Sequence, residues 1–120
     1  MNNREYKIGD LAREFNVTLR TLRFYEDKGL ITPAREGTKR LYSDADRQRL
    51  EIALFCKKIG LSLGEIRNVL ELYEYNGQND DASQRIRSIY AEQLRQLESH
   101  RAETAATIAD LQGRIAAMEN

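Results

Sequence analysis

Val17-Thr18-Leu19-Arg20-Thr21-Leu22-Arg23-Phe24-Tyr25-Glu26-Asp27-Lys28-Gly29-Leu30 decides the fold of this 120-residue chain. The stretch reads as one short amphipathic helix. Thr18 is its N-cap, because the hydroxyl can accept a hydrogen bond from a backbone N–H of the first turn. Gly29 stands where a helix C-terminus needs a residue at positive φ. Val17 and Leu22 face inward, which leaves Arg20, Thr21, Arg23, Phe24 and Tyr25 for the other faces. That mixture suits a helix lying in a nucleic-acid groove: Arg forms bidentate hydrogen bonds with guanine or phosphate, and Thr and Tyr can bond phosphate oxygens. Taken alone, the stretch fits a solvated surface helix better. Its neighbours reverse that judgement.

Upstream, Ile8, Leu11, Ala12 and Phe15 recur at i, i+3, i+4 and i+7, the pattern of a short amphipathic helix. Asn16 tolerates the left-handed conformation of a tight turn. Two short helices so closely joined read as a helix-turn-helix. Downstream, Leu30 to Tyr42 breaks the helical period. β-formers at both ends, with Glu36-Gly37 near the middle, predict a small two-stranded wing. Arg35, Lys39 and Arg40 cluster there as a candidate phosphate clamp; the alternative is a solvated loop.

Ser43-Asp44-Ala45-Asp46 opens a third helix with a capping-box pattern, followed by Leu50, Ala53, Leu54 and Ile59. Lys57 and Lys58 precede Gly60, where dipole stabilisation alone accounts for cations. Ser62-Leu63-Gly64-Glu65 repeats the capping box and opens a fourth helix carrying Leu63, Ile66, Val69, Leu70 and Tyr73. Asn76 to Asp81 reads as a linker, because none of its residues is apolar and most are turn formers. From Ala82 to Met118 there is no proline and only Gly113, so one long helix is expected. Its seam alternates three and four apart through Leu94, Leu97, Arg101, Thr104, Ile108, Leu111, Ile115 and Met118, about four heptads. Such a helix has little within its own chain to cover its seam, and a partner chain is the economical answer. The polar centre at His100, Arg101 and Thr104 lies near the helix midpoint, where antiparallel partners would meet. Arg101 paired with Glu98 or Glu103 of either chain would fix register there.

The formal net charge is zero, but it is not evenly spread. Residues 1–60 hold 13 Lys+Arg against 9 Asp+Glu, a net of +4, and residues 61–120 hold 6 against 10, a net of −4. A basic half precedes an acidic one. The N-terminus has no apolar signal region and no apolar run approaches membrane-spanning length, so a cytoplasmic protein is expected. The lone Cys56 fits that compartment and excludes an intrachain disulfide. It is expected to be a small apolar core residue; a redox role would require exposure, with Lys57 and Lys58 lowering its thiol pKa.

These motifs, in this order, resemble the MerR family of bacterial transcription regulators. Ile8-Gly9-Asp10-Leu11-Ala12 resembles its opening helix. Thr21-Leu22-Arg23-Phe24-Tyr25-Glu26 with Gly29-Leu30 resembles its recognition-helix signature. Pro33 followed by Arg40-Leu41-Tyr42 resembles its wing, and Ile59 to Ile66 its next helical pair. The resemblance is close over residues 6–75. It implies a mainly α protein: a winged helix-turn-helix DNA-binding domain at 1–75, a linker at 76–81 and a dimerisation helix at 82–120 forming an antiparallel coiled coil. It implies a homodimer on a near-palindromic promoter operator with an overlong spacer, distorted so that RNA polymerase can use it. Carried over by position, Arg20, Thr21, Arg23 and Tyr25 contact DNA from the helix, Arg35, Lys39, Arg40 and Tyr42 from the wing, and Lys58 adds a phosphate contact. Phe24 stands where the family often has a second Tyr, and Asn16 where Gly is common. Metal-sensing members hold thiolates around the coiled-coil helix, whereas one Cys and one His cannot build such a site here. No metal or cofactor is expected, and an effector, if there is one, is a small molecule of unidentified chemistry. The short form, with Leu72-Tyr73 and an acidic linker, looks most like members controlling branched-chain amino-acid or acyl-CoA breakdown.

The competing function is a coiled-coil adaptor whose basic domain binds protein. It predicts binding insensitive to salt and DNA sequence, whereas DNA binding weakens steeply as salt rises. An enzyme is the weakest reading, for want of a nucleophile–base pair, a Gly-rich phosphate loop or a carboxylate cluster.

Overall fold

A computed structural model describes residues 4–75 and 80–119. The elements run β1 (Tyr6–Lys7), α1 (Ile8–Phe15), α2 (Leu19–Asp27), β2 (Ala34–Glu36), β3 (Lys39–Tyr42), α3 (Asp44–Lys58), α4 (Leu63–Glu74) and α5 (Asp80–Met118). The chain divides into two compact units, residues 1–71 and 72–120.

In the first unit, local hydrogen bonding closes each short helix where the sequence signals it. The backbone N–H of Thr21 donates to Thr18 Oγ1 at 3.0 Å, the expected N-cap of α2. At the other end, Leu30 N donates to Tyr25 O and Gly29 N to Glu26 O. This six-to-one and five-to-two pair is a Schellman closure, and it needs the left-handed residue that Gly29 supplies at φ 74°. Asn16, at φ 55°, closes α1 in the same way through Val17 N to Ala12 O and Asn16 N to Arg13 O. Both expected capping boxes form. Ser43 and Asp46 exchange bonds of 3.1 Å in each direction. Ser62 N donates to Glu65 Oε1 at 2.9 Å, and Glu65 N to Ser62 Oγ at 3.2 Å. The hydrogen bonds that the Ser62 backbone and side chain give the Glu65 carboxyl hold it below its ordinary pKa.

The wing departs from the expected two strands. It is three-stranded, in the order β1-β3-β2, with Tyr6 opposite Tyr42 and Arg35 opposite Arg40. The two residues of β1 are too few to show a period, so only pairing with β3 reveals them. Beneath the helices, Leu11, Leu22, Leu30, Ile31, Leu50, Ala53, Cys56, Ile66, Val69 and Leu70 form the buried interior with Tyr25 and Tyr42. At ~1.5–3 kcal/mol for each fully buried large apolar side chain, this interior is the main force holding the helix-turn-helix together. Polar ties fix the order of packing around it. Arg47 of α3 grips Glu14 of α1 through two bonds. Arg49 Nε donates to Leu30 O at 2.8 Å, and Tyr6 Oη to Asp44 Oδ1 at 2.8 Å.

The second unit begins inside α4. Leu72, Ala82 and Ile86 are buried together, with Tyr73, Ile89 and Tyr90 packed against them and the two tyrosine hydroxyls 3.2 Å apart. The second compact unit thus starts at Leu72, where Leu72 and Tyr73 pack on the start of α5. The expected linker is also shorter at its end: Asp80 and Asp81 form the first turn of α5, where carboxylates oppose the positive end of the helix dipole. Residues 76–79 of that expected linker lie outside the described residues. From Leu94 onward α5 is exposed on every side.

Candidate nucleic-acid interface

α2 presents a cationic face because its apolar residues are spent elsewhere. Leu22 is fully buried, and Tyr25, three residues on and therefore on the same face, is buried too. This turns Arg20 and Arg23 outward; both are exposed, and neither enters an ion pair among the described residues. Thr21 is half-buried, and its hydroxyl lies 3.0 Å from that of Thr18, so it serves the N-cap region first. Leu19 and Phe24 remain 40% and 47% exposed, which adds apolar surface to the same outer region. Lys28 Nζ lies 5.6 Å from the Phe24 ring centre, a cation–π pair at the end of the helix.

The wing supplies Arg35, Lys39 and Arg40, as expected, but not all as free cations. Lys39 is exposed. Arg35 Nη2 donates to Glu26 Oε1 at 2.8 Å, and Arg40 Nε to Glu26 Oε2 at 2.7 Å. Beside the wing, a cleft of about 380 Å³ brings Lys39 and Arg40 together with Lys7 and Arg13 at the start of α1. Lys7 and Arg13 were not singled out by sequence. Their signal was their closeness to Ile8 and Asp10, but only the strand pairing of β1 with β3 carries them to the wing. Asp10 pairs with Arg13 at 2.8 Å and accepts from Lys7 N at 3.1 Å, so one carboxylate tempers this cluster.

Two expected contact residues take other positions. Tyr25 is 3% exposed and Tyr42 fully buried, so both side chains are part of the interior rather than the outer face. Burial pushes the Tyr25 hydroxyl up in pKa, and pushes Tyr42 up to about 12 with the Glu26 charge adding to it. Neutral, packed phenols of this kind hold the helix and the strand in place. The i, i+3 spacing of Leu22 and Tyr25 was the sequence signal for the first; nothing local marked the second. Lys58 is exposed at the last turn of α3, where it also complements the helix dipole. Cys56 is fully buried, which removes the exposure a redox role would need.

In the second unit, Leu94, Leu97, Ile108, Leu111 and Ile115 are 46–57% exposed and Met118 is 85% exposed. Arg101 and Thr104 between them are exposed as well. Among the described residues, no group of three or more His, Cys, Asp or Glu side chains could hold a metal ion, and no helix is long and apolar enough to cross a membrane.

Known proteins share both the sequence pattern and the fold. A family profile described as the MerR HTH family regulatory protein matches residues 6–72, and one described as MerR, DNA binding, matches residues 47–114. A transcriptional regulator, the ZntR homolog of Haemophilus influenzae, is 35% identical over 82 residues, which span 67% of this chain and 61% of that protein. The transcriptional activator TipA of Streptomyces coelicolor is 40% identical over 68 residues, 55% of this chain and 27% of that protein. The chain thus spans less than two thirds of the length of these relatives. Among solved structures, HiNmlR, a MerR family regulator lacking the sensor domain and bound to promoter DNA, superposes with a TM-score of 0.69 at 25% identity. That match covers 88% of this chain and 79% of HiNmlR.

Proposed function

The chain belongs to the MerR family of helix-turn-helix regulatory proteins, and from that premise we propose that it is a sequence-specific transcriptional regulator that binds promoter DNA as a homodimer. The observation that carries the proposal is the exposed pair Arg20 and Arg23 on α2, flanked on the same compact unit by the wing and by the cleft cations. Arg20 and Arg23 read base edges or adjacent phosphates in the major groove. Lys39, with Lys7 and Arg13, meets the backbone beside it, and Lys58 adds a phosphate contact. Tyr25 and Tyr42 support the surface from below. The exposed seam from Leu94 to Met118 pairs with the same seam of a second chain, antiparallel, so that two recognition helices address the two halves of a near-palindrome. The regulator then acts on the spacer between polymerase elements through DNA shape, with RNA polymerase as its partner at the promoter.

The test is footprinting on the promoters beside its own gene, and on duplexes selected from random DNA, at two salt concentrations. A protected near-palindrome whose binding weakens steeply with salt is the expected result. Arg20→Ala should cost about 1–3 kcal/mol and relax base preference at one position in each half-site. A folded, dimeric protein that protects no sequence and whose partner binding ignores salt would instead be an adaptor.

A further inference from the structure

Arg35 and Arg40 face each other directly across the β2–β3 hairpin. Like charges at such a position destabilise a strand pair unless an anion lies between them. Glu26, in the last turn of α2, is that anion. Its side chain is 14% exposed, with one oxygen taken by Arg35 and the other by Arg40, and Tyr42 Oη donates to the second oxygen at a longer 3.4 Å. Three donors from two strands thus converge on one carboxylate of the recognition helix. A simple structural ion pair would need only one of them.

We infer that Glu26 is a positioning residue for DNA recognition, setting sequence specificity by locking the wing to the recognition helix and withholding the charge of Arg35 and Arg40 from indiscriminate phosphate binding. The inference rests on the DNA-binding reading above and deepens it. The lock has two effects. It fixes the distance between the base-reading face and the backbone-contacting wing, so only DNA whose groove matches that spacing engages both; such preorganisation favours the right partner over the wrong one. It also leaves the three side chains with a net charge of +1 instead of +2, which lowers the sequence-independent attraction that every duplex shares.

The experiment uses the whole chain as parent, Glu26→Gln, Arg40→Ala and the double variant. Each is titrated with a duplex selected from random DNA and with a scrambled duplex, over a range of salt concentrations. Gln keeps the shape and one acceptor oxygen but removes the charge. For Glu26→Gln, affinity for the scrambled duplex should rise, and the slope of log K against log salt should steepen by about 1, one added phosphate contact. The ratio of specific to scrambled affinity should fall about tenfold, the worth of one charged hydrogen bond. In the Arg40→Ala background the same change should have a smaller effect, because the partner is already gone. An unchanged slope and ratio overturn the inference. So do equal losses on both duplexes, which would reduce Glu26 to a structural brace. If the parent itself fails to distinguish the two duplexes, the DNA-binding reading falls first, and that result is distinct from either.

Discussion

Replacing Leu111 with Ala tests whether the seam of α5 is a dimer interface. In the single chain this side chain is 55% exposed, so about half its surface is left to be covered by a partner. Fully burying a leucine contributes about 1.5–3 kcal/mol, and half of that is about 0.8–1.5 kcal/mol. A two-fold pair contains the residue twice, which doubles the loss to about 1.6–3 kcal/mol per dimer. At about 1.4 kcal/mol per tenfold, the dimer dissociation constant should rise roughly 15- to 150-fold. Sedimentation equilibrium across a dilution series reads this directly. Asp110→Ala, one residue away on the outer face of the heptad, is the control and should leave the constant where it was. Since Leu111 is not buried among the described residues, unfolding of the monomer should be the same in both variants. If Leu111→Ala and Asp110→Ala dissociate alike, or if the parent is monomeric throughout, α5 does not pair through this seam and the reasoning fails.

The polar middle of the seam gives a second prediction: Arg101→Leu should alter dimer affinity or oligomeric state, because it removes the charge proposed to fix register. Light scattering that finds the same dimer with the same affinity would refute it. The Glu14–Arg47 tie between α1 and α3 gives a third. The hydrogen bond from Arg47 holds the Glu14 carboxyl below its ordinary 4.5. A depressed folded-state pKa means the stabilisation is complete above that ordinary value and fades as pH falls through the lowered one. Urea midpoints between pH 6 and about pH 3 should therefore fall less steeply in Glu14→Gln than in the parent. Parallel curves would show that this pair is too well solvated to matter.

The local punctuation of the helix-turn-helix was legible in the amino-acid order because each signal acts within one turn. Thr18 caps the residue three ahead of it, Ser43–Asp46 and Ser62–Glu65 close their own boxes, and Asn16 and Gly29 adopt the backbone conformation their side chains permit. The same is true of the apolar spacing of α1 and of the long α5. These are interactions between residues three to five apart, which the covalent chain already holds near one another. What the order of residues did not disclose is what happens between residues distant along the chain. The pairing of Tyr6 with Tyr42 turns an expected hairpin into three strands and brings Lys7 beside Lys39. Packing gathers Leu72 and Tyr73 of α4 with Ala82 and Ile86 of α5. Two tyrosines that could have shown their hydroxyls outside were drawn into the interior, because burying the apolar ring outweighs the cost of desolvating a neutral hydroxyl. Glu26 belongs to the recognition-helix motif, yet its partners lie nine and fourteen residues away on two strands. Only the tertiary structure could choose them, since a carboxylate pairs with whichever cations the fold delivers to it.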